Sequence, residues 1–236
     1  MLLLRRSERA SFVPGGYVFP GGVVERADAS PEVTALIGGI SAEALSDRLR
    51  LRGADPTAAA YLVAALRETF EEAGLLAGVH LDHHVGARAL ELRNELREAL
   101  LGGRIGFADV LARLGARISA DEVVYFAHWI TPELAPRRYD TRFFAVGVSS
   151  GAEPILDTRE MTDALWITPS EALRALAAGA MKMILPTIET LERLSTFSDT
   201  QAALAAMRTT DVTTTLPTSE AGGFAARPEK PRLAGP

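Results

Sequence analysis

The chain has 236 residues, 47% hydrophobic and 23% charged, an ordinary globular balance that suits one large domain or two small ones. Its formal net charge of −5 argues against electrostatic binding to a nucleic-acid backbone and suits a protein that draws cations into a site. There is no cysteine, which excludes disulfides, thiolate catalysis and cysteine-based zinc sites.

The apolar run that opens the chain, Met1 to Leu4, is too short for a signal peptide. No segment approaches the ~20 apolar residues of a membrane span. A soluble, cytoplasmic protein with no membrane partner is therefore expected. Leu2 to Leu4 suit a short strand. Pro14-Gly15-Gly16 punctuate a turn, and Tyr17 to Phe19 form a brief apolar stretch that Pro20-Gly21-Gly22 stops. Val23 and Val24 suit a continuing strand.

Residues 29–54 read as an insertion, with a helix over Ser41 to Leu51. The best helix of the chain follows, over Thr57 to Ala73, with Asp55 as N-cap, Pro56 at the first helical position and Gly74 as its stop. Residues 86–115 read as a second, helical insertion: Ala87 to Leu101 and Phe107 to Leu114. Val123 to Ile130 and Arg142 to Val148 have the β-branched and aromatic content of strands. Ala164 to Ile167 suit a short strand, and Thr168-Pro169-Ser170-Glu171 open a helix. Further helices are expected over Leu185 to Leu194 and Thr200 to Met207. From about Arg208 the Thr, Pro, Gly and Ala content suits a flexible tail. The expected organisation is one α+β domain over residues 1–207, with a tail over 208–236.

The informative stretch is Arg67-Glu68-Thr69-Phe70-Glu71-Glu72-Ala73-Gly74-Leu75. On a helix, Glu68, Glu71 and Glu72 share one face, where like charges repel. A hard divalent cation reverses that balance, because magnesium prefers carboxylate and water oxygens and bridges to phosphates. Glu-rich exposed helices are common, and Arg67 could simply pair with Glu71 at i+4. The opposite face, however, carries Leu62, Leu66, Thr69 or Phe70, and Ala73, so the helix is packed. Upstream, Gly21-Gly22 permit close backbone approach to a ligand and offer carbonyl oxygens.

Together these residues resemble the Nudix box. Gly22 matches its first glycine, and Arg67, Glu68, Glu71, Glu72, Gly74 and Leu75 match its second half. There are three departures. Asp28 stands where the box has glutamate, 38 residues separate Asp28 from Arg67 where the pattern has seven, and Thr69 replaces an apolar residue. A looped-out insertion is tolerable, since closure entropy grows slowly with length. Leu2-Leu3-Leu4-Arg5-Arg6-Ser7, Gly15 and Phe19-Pro20-Gly21-Gly22 are similar to a motif of the coenzyme A diphosphatase branch, with Leu4 for threonine and Ser11 for arginine. The long insertion and Tyr139 to Phe144 add to that likeness.

The resemblance implies a Nudix-like α/β/α sandwich with a mixed sheet. It also implies a Mg²⁺- or Mn²⁺-dependent hydrolase that cleaves the diphosphate of a nucleotide derivative. Glu68, Glu71 and Glu72, with the Gly21 or Gly22 carbonyl, would hold the metal, and Arg67 would orient the glutamates. Glu160, six residues before Trp166, is a candidate further ligand or base, with Asp157 and Glu153 as competitors. Coenzyme A or its acyl form would suit Arg5, Arg6 and Arg142 as phosphate binders. The helical insertion could form a lid for an acyl chain or belong to the core. An ADP-ribose or nucleotide-sugar diphosphatase is the alternative enzyme, and a binding module without turnover the alternative of another class. His80, His83, His84 and His128 match no metal spacing. The family fold has a strand before Leu2 to Leu4, so an unpaired edge and a homodimer are possible expectations.

Overall fold

The computed structural model describes residues 1–81, 87–133, 138–220 and 223–225. In chain order it contains β1 (Leu2–Arg6), β2 (Tyr17–Val18), a 3₁₀ turn (Arg26–Ala29), α1 (Pro31–Thr34), β3 (Ile37–Gly38), α2 (Ala42–Leu49), α3 (Ala58–Ala73) and β4 (Val79–Leu81). There follow α4 (Ala87–Leu101), α5 (Phe107–Leu114), β5 (Ala116–Ser119), β6 (Val124–Ile130), β7 (Asp140–Ala145) and β8 (Met161–Trp166). The last elements are α6 (Pro169–Ala177), α7 (Leu185–Leu194), α8 (Thr200–Thr209), β9 (Thr214–Thr215), β10 (Thr218–Glu220) and β11 (Gly223–Ala225). The result is the expected α+β class with mixed sheets. Contacts gather the single expected domain into two compact units: Met1–Val123 with Val146–Ile167, and Val124–Ala145 with Thr168–Pro236.

In the first unit, β1 is the middle strand of the order β2-β1-β8, antiparallel to both neighbours. The expected unpaired edge at β1 is thus corrected: Leu4 pairs with Val18 on one side and Leu3 with Leu165 on the other. The strand-completion argument for a homodimer falls with it. A second sheet, β3-β5-β4, is mixed, with β3 parallel and β4 antiparallel to β5. Leu2, Leu4, Ala73, Leu75 and Met161 form one core cluster, so the end of α3 is packed against β1 and β8.

Helix α3 buries Leu62, Leu66, Phe70 and Ala73, which settles the choice between Thr69 and Phe70 on the apolar face. Its N-cap is Thr57, whose hydroxyl accepts from the Ala60 amide at 3.3 Å; the expected cap Asp55 and the cis-bonded Pro56 lie just before it. A hydroxyl two residues nearer the first turn reaches the free amides that Asp55 cannot. Gly74 ends the helix in the left-handed region at φ 66°, as expected. Thr69 satisfies its hydroxyl inside the helix, on the Ala65 carbonyl at 2.7 Å. Val23 and Val24 form no strand, because the Val23 carbonyl is taken by the Arg67 guanidinium at 2.9 Å.

In the second unit, β7, β6 and β9 form a mixed sheet on which α8 packs through Ala203 and Met207 against Val124 and Phe126. Thr168 and Glu171 cap α6 reciprocally. Within the stretch expected as a tail, Thr214–Thr215 pairs parallel to β6, and β10 pairs antiparallel with β11. The β-branched threonines that read as tail composition also suit a strand. His83, His84, Asp82 and residues 226–236 lie outside the described residues. No helix among the described residues is long and apolar enough to cross a membrane.

Candidate active site

The box residues converge on one buried guanidinium. Arg67 is 4% exposed and its five contacts use the whole planar fork. Its Nε donates to Asp28 Oδ1 at 2.8 Å and its Nη2 to Asp28 Oδ2 at 3.0 Å. Nη1 donates to Glu68 Oε1 and to Glu71 Oε2, both at 3.0 Å, and Nη2 also to the Val23 carbonyl. Asp28 is 1% exposed and further accepts from the Glu25 amide at 2.8 Å. The 3₁₀ turn thus brings Asp28 against α3 across the 38 intervening residues, and an aspartate fills the glutamate position by pairing with arginine.

The glycine pair closes the other side. The Gly21 amide donates to Glu72 Oε2 at 2.9 Å. Gly21 has φ 154°, a region open to glycine and costly for other residues. A Cβ on Gly22 would overlap the Glu68 carboxylate, so the backbone approach expected of this glycine is present.

Burial sets the electrostatics. It pushes the Glu72 carboxyl up to about 8; the Gly21 amide and Arg6 oppose the rise, and Glu68 and Glu160 add to it. Burial also raises Glu68 and Glu71, in each case against the pull of Arg67. Burial lowers the Arg67 pKa, but Asp28, Glu68 and Glu71 outweigh it and hold the guanidinium firmly protonated. Asp28, Arg67 and the glutamates form a network in which each buried charge has a partner.

Among the described residues, no three acidic or histidine side chains are gathered into a metal cage. Glu68 and Glu71 turn to Arg67, and Glu72 turns to the Gly21 amide. The donor chemistry nevertheless fits a hard divalent cation: three carboxylates on one helix face, each with its charged form disfavoured by burial, beside the exposed residues Gly21 and Gly22.

The remaining predicted residues separate. Glu160 accepts from the Ser7 amide through its carbonyl at 2.9 Å, which ties it to the end of β1, and its charge reaches Glu72. Its competitor Asp157 is held by Arg159 at 2.8 Å, and Glu153 is exposed. Arg5 is bound to Glu8 at 2.8 Å and to the Gly15 carbonyl at 3.3 Å, so it braces the turn before the glycine pair. Arg6 acts on Glu72 electrostatically, and its buried Nε has no hydrogen-bond partner. Arg142 lies in the second unit, where its guanidinium donates to Asp140, which also meets His128 Nε2 at 2.7 Å. His80 meets Glu122 at 2.8 Å on the surface.

Two residues escaped the sequence reading. Glu25 caps the 3₁₀ turn reciprocally with Asp28 and raises Glu71; its spacing of three from Asp28 was the available signal. Arg97 reaches α3 from another helix, and no local pattern announces it.

Known proteins resemble the stretch of chain that holds these residues. The family model described as the NUDT19 Nudix domain matches residues 1–194. The acyl-coenzyme A diphosphatase NUDT19 of Gallus gallus is 31% identical, over 84% of this chain and 61% of its own length. That of Homo sapiens is 26% identical over 84% of this chain and 61% of its own. The chain therefore spans about three fifths of the length of these curated relatives. The crystal structure of a NUDIX hydrolase from Alicyclobacillus acidocaldarius superposes with a TM-score of 0.63 at 26% identity, covering 86% of both chains. With its box residues assembled around Arg67 and its family match running from Met1 to Leu194, the chain belongs to the Nudix family, in the NUDT19 branch.

Proposed function

We propose that this chain is a divalent-metal-dependent diphosphatase acting on coenzyme A or acyl-coenzyme A. The observation that carries the proposal is the packing of Glu68, Glu71 and Glu72 on one face of α3, between Arg67 and Gly21-Gly22. The names of the relatives support the substrate class. So does Arg6, whose unpartnered Nε beside Glu72 suits a phosphate oxygen.

Water attacks one phosphorus of the P–O–P bridge, that bridge breaks, and the other phosphate leaves as a monoester with release of a proton. The products are 3′,5′-ADP and 4′-phosphopantetheine or its acyl form. A Mg²⁺ or Mn²⁺ ion, when bound by Glu68, Glu71, Glu72 and the Gly21 or Gly22 carbonyl, supplies neutralisation of the phosphate charge and a more acidic water. The protein's own part is to orient these carboxylates through Arg67 and to receive the water's proton on a carboxylate. Glu71, whose pKa burial raises, and Glu160 are the candidates for that proton.

The test is a panel of CoA, acyl-CoA, ADP-ribose and dinucleotides, each with Mg²⁺ or Mn²⁺ and with chelator, with products separated by chromatography. The proposal expects 3′,5′-ADP from CoA or acyl-CoA in the presence of metal alone. Faster cleavage of ADP-ribose would replace the substrate, and metal binding without turnover on any member would make the chain a binding module.

A further inference from the structure

A helix leaves its last four carbonyls without partners inside the helix. In α3 those carbonyls belong to Phe70, Glu71, Glu72 and Ala73, so the site's own turn is the one that needs outside donors. Gly74 returns to the Phe70 carbonyl at 2.9 Å. The amide of Asp157 donates to the Glu72 carbonyl at 3.0 Å, and that of Ile155 to the Ala73 carbonyl at 2.8 Å. The Glu71 carbonyl is served by Arg97 of α4: Nε donates to it at 3.0 Å and Nη2 donates to it as well, while Nε also reaches the Phe70 carbonyl at 2.8 Å.

Arg97 is 3% exposed, and its hydrogen bonds run to backbone carbonyls at the negative end of the helix dipole. Burial lowers its pKa, while Asp157 and Glu98 oppose that fall. Asp157 thus serves the turn twice, by its amide and by its charge. Beside Arg97 on α4, Leu96 and Leu100 are buried, whereas Leu90 and Leu92 are exposed. The face of α4 toward α3 is therefore a brace with a charged centre. An apolar contact would have sufficed to pack two helices; a buried guanidinium aimed at the Phe70 and Glu71 carbonyls fixes how the turn is rotated.

We infer that Arg97 is a positioning residue: by holding the Glu71 carbonyl it sets the rotation of the Glu71-Glu72 turn, and so the affinity of the site for a divalent cation, without touching substrate. This rests on the reading of the glutamates as metal ligands given above. Partners one step removed from a metal ligand commonly change metal affinity by about 10- to 100-fold, and a misplacement of about 1 Å can cost about a hundredfold in rate.

The experiment uses the full chain in three variants, Arg97→Met, Arg97→Lys and Leu100→Ala, with Mn²⁺ as the probe. Free Mn²⁺ is counted by electron paramagnetic resonance, folding is followed by circular dichroism, and kcat and KM are measured at saturating metal. Arg97→Met should weaken Mn²⁺ binding about tenfold or more. It should lower kcat and leave the KM for substrate near wild type. Arg97→Lys, which keeps one donor and the charge, should recover part of the loss. Leu100→Ala should lower the melting temperature and leave Mn²⁺ affinity unchanged.

Wild-type Mn²⁺ affinity in folded Arg97→Met overturns the inference. An equal loss in Leu100→Ala does so too, since the brace would then act only through stability. Failure of both Arg97 variants to fold while Leu100→Ala folds assigns Arg97 to the fold alone. A wild-type protein that binds no Mn²⁺ overturns the reading of the glutamates, and the inference with it.

Discussion

Arg67, within α3, and Arg97, reaching α3 from α4, both hold the turns that carry the glutamates, and they do so with different chemistry. Arg67 is surrounded by carboxylates of Asp28, Glu68 and Glu71, so its burial is compensated by full charges. Arg97 meets carbonyl dipoles of Phe70 and Glu71, with Asp157 and Glu98 opposing its desolvation from further off. The first arginine aims the side chains of the carboxylate face; the second fixes the backbone that carries them. A site built this way separates two tasks, and the two can be broken one at a time.

The largest expected loss of stability comes from Arg67→Met. It leaves Asp28 buried and unpaired, which costs about 3–5 kcal/mol in urea unfolding. Arg97→Met leaves a buried carbonyl unpaired and should cost less, about 1–3 kcal/mol. If Arg97→Met is the more damaging of the two, the distinction between charge-compensated and dipole-compensated arginine is wrong.

Acidity offers a second way to probe the carboxylate side. The folded protein holds a proton on Glu72 up to about pH 8, whereas an unfolded chain releases it near 4.5. Because the folded state then binds more protons, chelator-treated protein should lose stability as pH rises from about 4.5 to about 8. Glu68 and Glu71 shift in the same direction and add to that slope. Glu72→Gln should flatten it, and a slope unchanged in that variant would remove Glu72 as its main source. Gly22→Ala should act more narrowly, pushing the Glu68 carboxylate aside with little change in melting temperature but weaker Mn²⁺ binding. Thr57→Ala, at the far end of α3, should cost about 1 kcal/mol and leave Mn²⁺ binding alone.

The contrast between the two arginines also explains what could be read from the chain beforehand. Arg67, Glu68, Glu71 and Glu72 are neighbours in sequence, so helical spacing alone places them on one face, and the apolar partners Leu62, Leu66 and Phe70 identify the other. Asp28 was legible only through the family pattern, because 38 residues separate it from its partner. Arg97 was not legible at all: its partners are carbonyls, which carry no residue identity, and they lie 26 and 27 residues away in the chain. The N-cap of α3 was misplaced by two residues because Asp and Thr are both good caps, and only backbone geometry decides between Asp55 and Thr57. The pairing of β1 was another case: the stretch from Tyr17 reads as a short strand, but its two paired residues carry too little pattern to say which strand they join.

The most direct test of the central claim is metal-dependent turnover in Glu71→Gln and Glu72→Gln. Both substitutions keep size and remove the charge that a cation needs. With CoA or acyl-CoA as substrate and Mn²⁺ present, wild type should release 3′,5′-ADP, and each variant should lose most of that activity while its circular dichroism spectrum stays native. Full activity in both folded variants would contradict the assignment of the α3 glutamates as the metal site.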